Sequence, residues 1–192
     1  YDFVKVVING NPVGIYALEE HFDKRLVEHN RRREGPILRF DESPLWDAFL
    51  RRRQEGGDVD STGISLTTSV RSFRESSLRG NPVQLAYFEK AAALLDGFRK
   101  GRLRTSEVFD IELLARYYAV AHLLGATHGT SWNNSRYYYN PVTARLEPIG
   151  FDGQPARLTD EKGAFKLNRY FGFYNKLAFA DLEFCRAYRA AV

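Results

Sequence analysis

Residues 125–154, GATHGTSWNNSRYYYNPVTARLEPIGFDGQ, constrain the chain more than any other stretch. A small polar loop (Gly125, Thr127, His128, Gly129, Thr130, Ser131) precedes two strand-like runs joined at Asn140-Pro141-Val142-Thr143, and the second run ends in Phe151-Asp152-Gly153. A hairpin returns the chain towards its start, so this order brings Asn134 and Asp152 back near one another. An amide oxygen and a carboxylate held in that way suit a hard divalent cation such as Mg²⁺, which takes oxygen ligands and keeps several waters. The same residues carry a plainer reading, because Asn and Asp-Gly are common turn formers.

The rest of the sequence removes several alternatives. At 192 residues, 44% hydrophobic and 27% charged, the chain is one domain with enough apolar material for a substantial core. No run approaches the roughly eighteen apolar residues of a membrane span. Cys185 is the single cysteine, so neither an internal disulfide nor a cysteine-based zinc site can form. The histidines, His21, His29, His122 and His128, lack the H-x-x-x-H spacing of a zinc hydrolase. Glycine-rich dinucleotide, Walker and G-x-S-x-G motifs are all missing. The net charge of +4 rests mainly on arginine, with triplets at 31–33 and 51–53. Such runs are usually solvated helix faces, and a phosphate-rich or acidic partner is the alternative. With no methionine the chain cannot contain its own initiator, and it reads as a fragment or processed piece whose compartment, secreted or cell-surface included, stays open.

Along the chain, β-rich runs at 2–8 and 12–18 flank Asn9-Gly10-Asn11, a strong hairpin signal. A helix is expected over 19–30, where Phe22, Leu26 and Val27 recur at helical spacing, then a short strand at 37–40. Residues 45–53 read as a short helix, and 55–69, rich in Gly, Ser and Thr, as an irregular insertion. Leu85, Phe88, Ala91, Ala92, Leu95 and Phe98 mark one face of a helix over 84–99. A second helix runs from an Asp110 N-cap to Gly125. Tyr137, Tyr138 and Tyr139 alternate faces on a strand, which puts at least one in the core and leaves room for another outside. Trp132 wedges the loop against the helices. Beyond Asp152 the chain is polar to about Lys162, then aromatic at helix-like intervals through Phe165, Tyr170, Phe173, Leu177, Phe184 and Tyr188.

Two separated segments carry a resemblance. The run WNNSRYYYNPVTARLEPIGFDGQP resembles the C-terminal signature of the CotH family, spore-coat-H-like proteins with an atypical protein-kinase-like fold. The run VVINGNPVGIYALEEHFDKRLVE, residues 6–28, resembles that family's other signature, a hairpin leading through an acid into a helix. Together with weaker similarity between them the likeness covers nearly the whole chain. It implies an α+β, kinase-like domain over 1–192: a small N-terminal lobe to about residue 80, with a β-hairpin or sheet, one helix and the insertion, and a mostly helical lobe over 81–192.

The resemblance also implies an activity, ATP- and Mg²⁺-dependent phosphorylation of Ser or Thr in a partner protein, with no nucleic acid and no membrane span. Kinase-like enzymes place a metal-binding Asn, then an Asp followed by Gly, around such a loop. By that likeness Asn134 and Asp152 are the metal ligands, with Asp152 also catalytic, and Glu20 and Arg39 serve the nucleotide. The chain departs from the family pattern twice. Arg39 stands where the family has a lysine, and the two are not interchangeable, since one is a fixed fork and the other a compact charge. The loop before Asn134 also lacks the family's acid, with Ala126, Thr127 and His128 in its place. An imidazole, whose unperturbed pKa of about 6.5 lies near working pH, can accept a hydroxyl proton, which makes His128 the candidate base. The rival readings are a catalytically impaired pseudokinase or adhesion-type binding module, and, disfavoured by aromatics in core-like patterns, an Arg-rich nucleic-acid binder.

Overall fold

The computed structural model describes residues 2–155 and 172–192. Asn9 (φ 51°) and Gly10 (φ 82°) supply the two left-handed residues of a tight hairpin turn, and β1 (Asp2–Ile8) folds back antiparallel on β2 (Asn11–Leu18). This ribbon is a sheet of its own, and its apolar side chains, Phe3, Ile15 and Tyr16 among them, are exposed.

The sheet that organises the molecule comprises β3 (Ile37–Phe40), β4 (Val70–Ser72), β5 (Arg136–Asn140) and β6 (Arg145–Ile149), in the order β4-β3-β5-β6 and antiparallel throughout. Alternation along the strands sends Leu38, Phe40, Tyr137, Tyr139 and Leu146 into the main core. There they meet Leu95 and Phe98 of α5 (Pro82–Arg99), Leu114 and Tyr118 of α7 (Ile111–Leu123), and Phe184 of α9 (Leu182–Ala191). Ile37 and Tyr138 point the other way and are buried beneath Val27 of α1 (Lys24–His29) with Phe22 and Leu26. The chain after α1 is fastened over the same face. Tyr138 Oη donates to the Arg33 carbonyl at 2.6 Å, and Arg32 Nε donates to Glu147 at 2.8 Å. All three consecutive tyrosines are therefore buried; the expectation of an exposed one fails because both faces of the sheet are covered. On the outer face the register sets Arg39 opposite Arg71 on one side and Arg136 on the other, so three arginines stand in one row.

Capping fixes the helices where the sequence marked them. The Asn81 side chain accepts from the amides of Val83 and Gln84, and Asp110 accepts from Leu113 N at 3.0 Å. Among the described residues no helix is long and apolar enough to cross a membrane. Several expectations are corrected. The helix expected from residue 19 starts at Lys24, where Asp23 caps the Arg25 amide, so Glu20 precedes it and is not a first-turn acid. The short helix expected at 45–53 is longer, α2 (Ser43–Glu55). The stretch read as an irregular insertion contains α3 (Ser61–Thr67), followed by β4 and α4 (Glu75–Arg79). The β3–β5 ladder pairs strands that lie on either side of residue 80. α6 (Thr105–Val108) bridges α5 to α7, and α8 (Phe173–Phe179) carries the aromatic pattern into α9. Phe165, Tyr170 and the polar run to Lys162 lie outside the described residues.

α3 exists for tertiary reasons. Its sequence, STGISLT, is a poor helix former, but Asp60 caps it through Gly63 N at 2.8 Å and the buried Arg99 donates to the carbonyls of Ser65, at 3.0 Å, and Thr68. Arg99 is itself held by Asp96 and lies 5.5 Å from the centre of the Phe40 ring. Replacing Arg99 by Met keeps the stem and strands those acceptors, a loss of about 2–3 kcal/mol. The expected result is a thermal midpoint lowered by roughly 5–10 °C at this chain length, with the far-UV circular dichroism of the remaining helices retained. An unchanged midpoint would show that the guanidinium does not anchor α3.

Candidate functional site

α7 ends at Leu123 with Leu124 as its cap, Gly125 follows in the left-handed region (φ 62°), and the chain turns into a 3₁₀ turn, Thr127–Thr130. Local side chains hold that turn: Thr130 Oγ1 donates to the Thr127 carbonyl at 2.8 Å, and Tyr117 Oη to the Gly129 carbonyl at 2.9 Å. The carbonyl of His128 receives Ser131 Oγ at 2.7 Å and the buried Asn134 amide nitrogen at 3.3 Å. Across the hairpin, Asp152 sits in the left-handed region (φ 42°), and its Oδ2 lies 3.3 Å from Nε2 of His128. The two side chains keep 36% and 42% of their surface exposed, so a ligand can reach both. Asn134 and Asp152 thus meet around one residue, the first at its backbone and the second at its imidazole. Gly129 makes the approach possible: a Cβ there would stand 2.8 Å from both the Phe151 carbonyl and Tyr117 Oη.

One member of the arginine row reaches this junction: the guanidinium carbon of Arg136 lies 4.4 Å from the centre of the Phe151 ring. Arg71 is neutralised by Asp41 at 3.4 Å and Glu75 at 3.2 Å. Arg136 is buried and donates to Glu42 at 2.8 Å; burial pulls its guanidinium below the usual range, and the Glu42 bond acts against that. Arg39 differs. It lies 5.1 Å from the centre of the Phe73 ring, has no carboxylate partner among the described residues, and its Nε is buried without a hydrogen bond. Phe73 and Phe151 are joined by Phe22, whose ring is 4.6 Å from the first and 5.5 Å from the second.

Glu20 is elsewhere in its contacts: its carboxylate bonds the His29 imidazole, and no Glu20–Arg39 pair is formed. His128 also lines an open cavity of about 1230 Å³ between α2, α3 and the 3₁₀ turn, with Trp46, Phe49, Trp132 and Tyr174 on its walls. Asn134, Asp152, Arg39 and Arg136 do not line it, so His128 stands between that cavity and the polar junction. Trp132 fastens the loop to α3 and β3, through its indole N–H to Ser61 Oγ at 3.0 Å and an edge contact with Phe40.

Among the described residues no group of three or more His, Cys, Asp or Glu is assembled to hold a metal. Asn134 and Asp152 instead offer an amide oxygen and a carboxylate, and no donor among the described residues occupies Asn134 Oδ1. That donor set fits Mg²⁺ bound jointly with a ligand's phosphates, the way this ion is usually held. Sequence reasoning missed Glu42, Phe22 and Phe73. Glu42 gave no signal, since it reaches Arg136 across 94 positions.

Residues 1–168 match the family model described as CotH kinase protein. No curated protein matches the chain.

The close approach at Gly129 is testable. In Gly129→Ala the added methyl must separate the 3₁₀ turn from residues 151–153, because neither the Phe151 backbone nor the Tyr117 hydroxyl can give way cheaply. The expected cost is about 1–3 kcal/mol, together with a shift of the His128 imidazole resonances as Asp152 moves off. A variant with wild-type stability and imidazole shifts would remove the contact from the account.

Proposed function

The chain belongs to the CotH kinase protein family, and from that membership we propose that it is an ATP- and Mg²⁺-dependent protein kinase that phosphorylates serine or threonine in a partner protein. One observation carries the reading: the Asn134 amide and the Asp152 carboxylate converge on the two ends of His128. Bound Mg²⁺ neutralises charge on the phosphate oxygens, and ATP supplies the phosphoryl group. Asn134 and Asp152 hold the ion. Arg39, the member of its row without a carboxylate partner among the described residues, takes a phosphate oxygen through the terminal nitrogens of its guanidinium. Glu20 is assigned no contact in this scheme while His29 holds it.

The acceptor enters from the cavity side. Its hydroxyl loses a proton to Nδ1 of a neutral His128, whose Nε2–H is held by Asp152 Oδ2, and its oxygen bonds to phosphorus as the bond to the departing ADP breaks. Most of the rate in such transfers comes from positioning and charge stabilisation. Residues 125–140 contain neither Asp nor Glu, and that favours one second reading, a nucleotide-binding module that transfers nothing.

Calorimetry with ATP, with and without Mg²⁺, and labelled-phosphate transfer to a generic acceptor protein separate the two. Asp152→Asn is expected to lose Mg²⁺-dependent ATP affinity by at least about 10–100-fold, the range seen when groups supporting a metal ligand are lost. His128→Ala is expected to keep that affinity and lose roughly 10²–10⁴ in transfer rate. Binding without transfer in the wild type selects the binding module, and no binding removes both readings.

A further inference from the structure

We infer that Arg136 is the positioning residue that holds Asn134 and Asp152 in one frame, a role that rests on reading those two as the Mg²⁺ ligands. Its guanidinium touches both sides of the junction at once. One terminal nitrogen donates to the carbonyls of Asn133, at 2.7 Å, and Ser135, at 3.2 Å, the residues on either side of Asn134. The plane of the group lies 4.4 Å from the centre of the Phe151 ring, the residue immediately before Asp152, with the Phe73 ring behind it at 5.7 Å. The other terminal nitrogen is tied to Glu42, the first residue ahead of α2.

The chemistry of the side chain suits the task. A guanidinium is flat, permanently charged and forked, so one face can rest on an aromatic ring while the edges donate in fixed directions. A lysine ammonium lacks both the plane and the fork. Arg136 is buried, and a buried charge needs a partner; Glu42 meets that need and fixes the aim of the fork. What is fixed is itself unusual, because Asp152 is held at positive φ, where a non-glycine residue stays only if its surroundings hold it. Phe151, clasped between Arg136 and Phe22, supplies that hold from one side.

Two variants test the role. Arg136→Lys keeps the charge and removes the fork; Glu42→Gln leaves Arg136 in place, is the milder change, and serves if the first fails to fold. In nucleotide-free, metal-free protein, hydrogen exchange by mass spectrometry is expected to rise about tenfold or more in peptides covering 131–135 and 150–153 together, with α5 and α7 unchanged. A rise in one segment alone, or in neither, overturns the inference. The second readout is the affinity for a non-hydrolysable ATP analogue in Mg²⁺ and in chelator. The wild-type gain from Mg²⁺ is expected to shrink about tenfold in Arg136→Lys while the affinity in chelator stays put. Equal gains in wild type and variant overturn the positioning role alone. No gain in the wild type overturns the metal reading, and the positioning role with it.

Discussion

Everything at the site depends on the ladder between β3 and β5, which pairs residues 37–39 with 136–138 across about half the chain. Register in a sheet with buried faces is unforgiving, because a slip of one residue would exchange every inward side chain for an outward one. Here the register places Leu38 and Tyr137 in the main core and, by the same alternation, sets Arg39 beside Arg136 on the outer face. Like charges opposite one another in a sheet are destabilising, and Arg71 lengthens the row. The surroundings offset this with Asp41, Glu75 and Glu42, and with the rings of Phe73 and Phe151 under the guanidinium planes. One member, Arg39, has a ring and, among the described residues, no carboxylate. The apolar faces fix the register, and the row of charges follows from it.

What could be read from the sequence is what is decided locally. Asn9-Gly10 fixes a turn through its backbone preferences, Asn81 and Asp110 fix helix starts through their own side chains, and the second hairpin follows from two β-rich runs around Pro141. The family likeness could be read for a related reason: its motifs are continuous segments, and the family match over residues 1–168 includes both. What could not be read depends on partners far off in the chain. α3 is made by Arg99, 34 positions from Ser65. The burial of Tyr138 depends on Val27 and on the carbonyl of Arg33. The helix expected from residue 19 starts later, because it waits for Asp23, the residue able to cap it. Nothing in the order of residues pointed from Arg136 to Glu42, 94 positions away.

The two departures from the family pattern belong to one physical situation. A lysine in place of Arg39 would present a compact, hydrated charge on a flexible stem and would need little aiming. An arginine must be aimed, and the means of aiming it are the aromatic groups Phe73, Phe22 and Phe151, whose last member is covalently joined to Asp152. Phe73 therefore contacts the guanidinium, and through Phe22 and Phe151 the same cluster bounds the loop that carries the acid. On the other side of the junction, the loop in which the family likeness implies a carboxylate has Ala126, Thr127 and His128 instead, and the His128 imidazole lies 3.3 Å from Asp152. A carboxylate at that place would stand against Asp152 with like charge, whereas a neutral imidazole accepts its company and still offers a ring nitrogen to a proton. Arg39, the aromatic cluster, Asp152 and His128 are thus linked by contact from sheet to turn, and a change at any one of them is felt through the next.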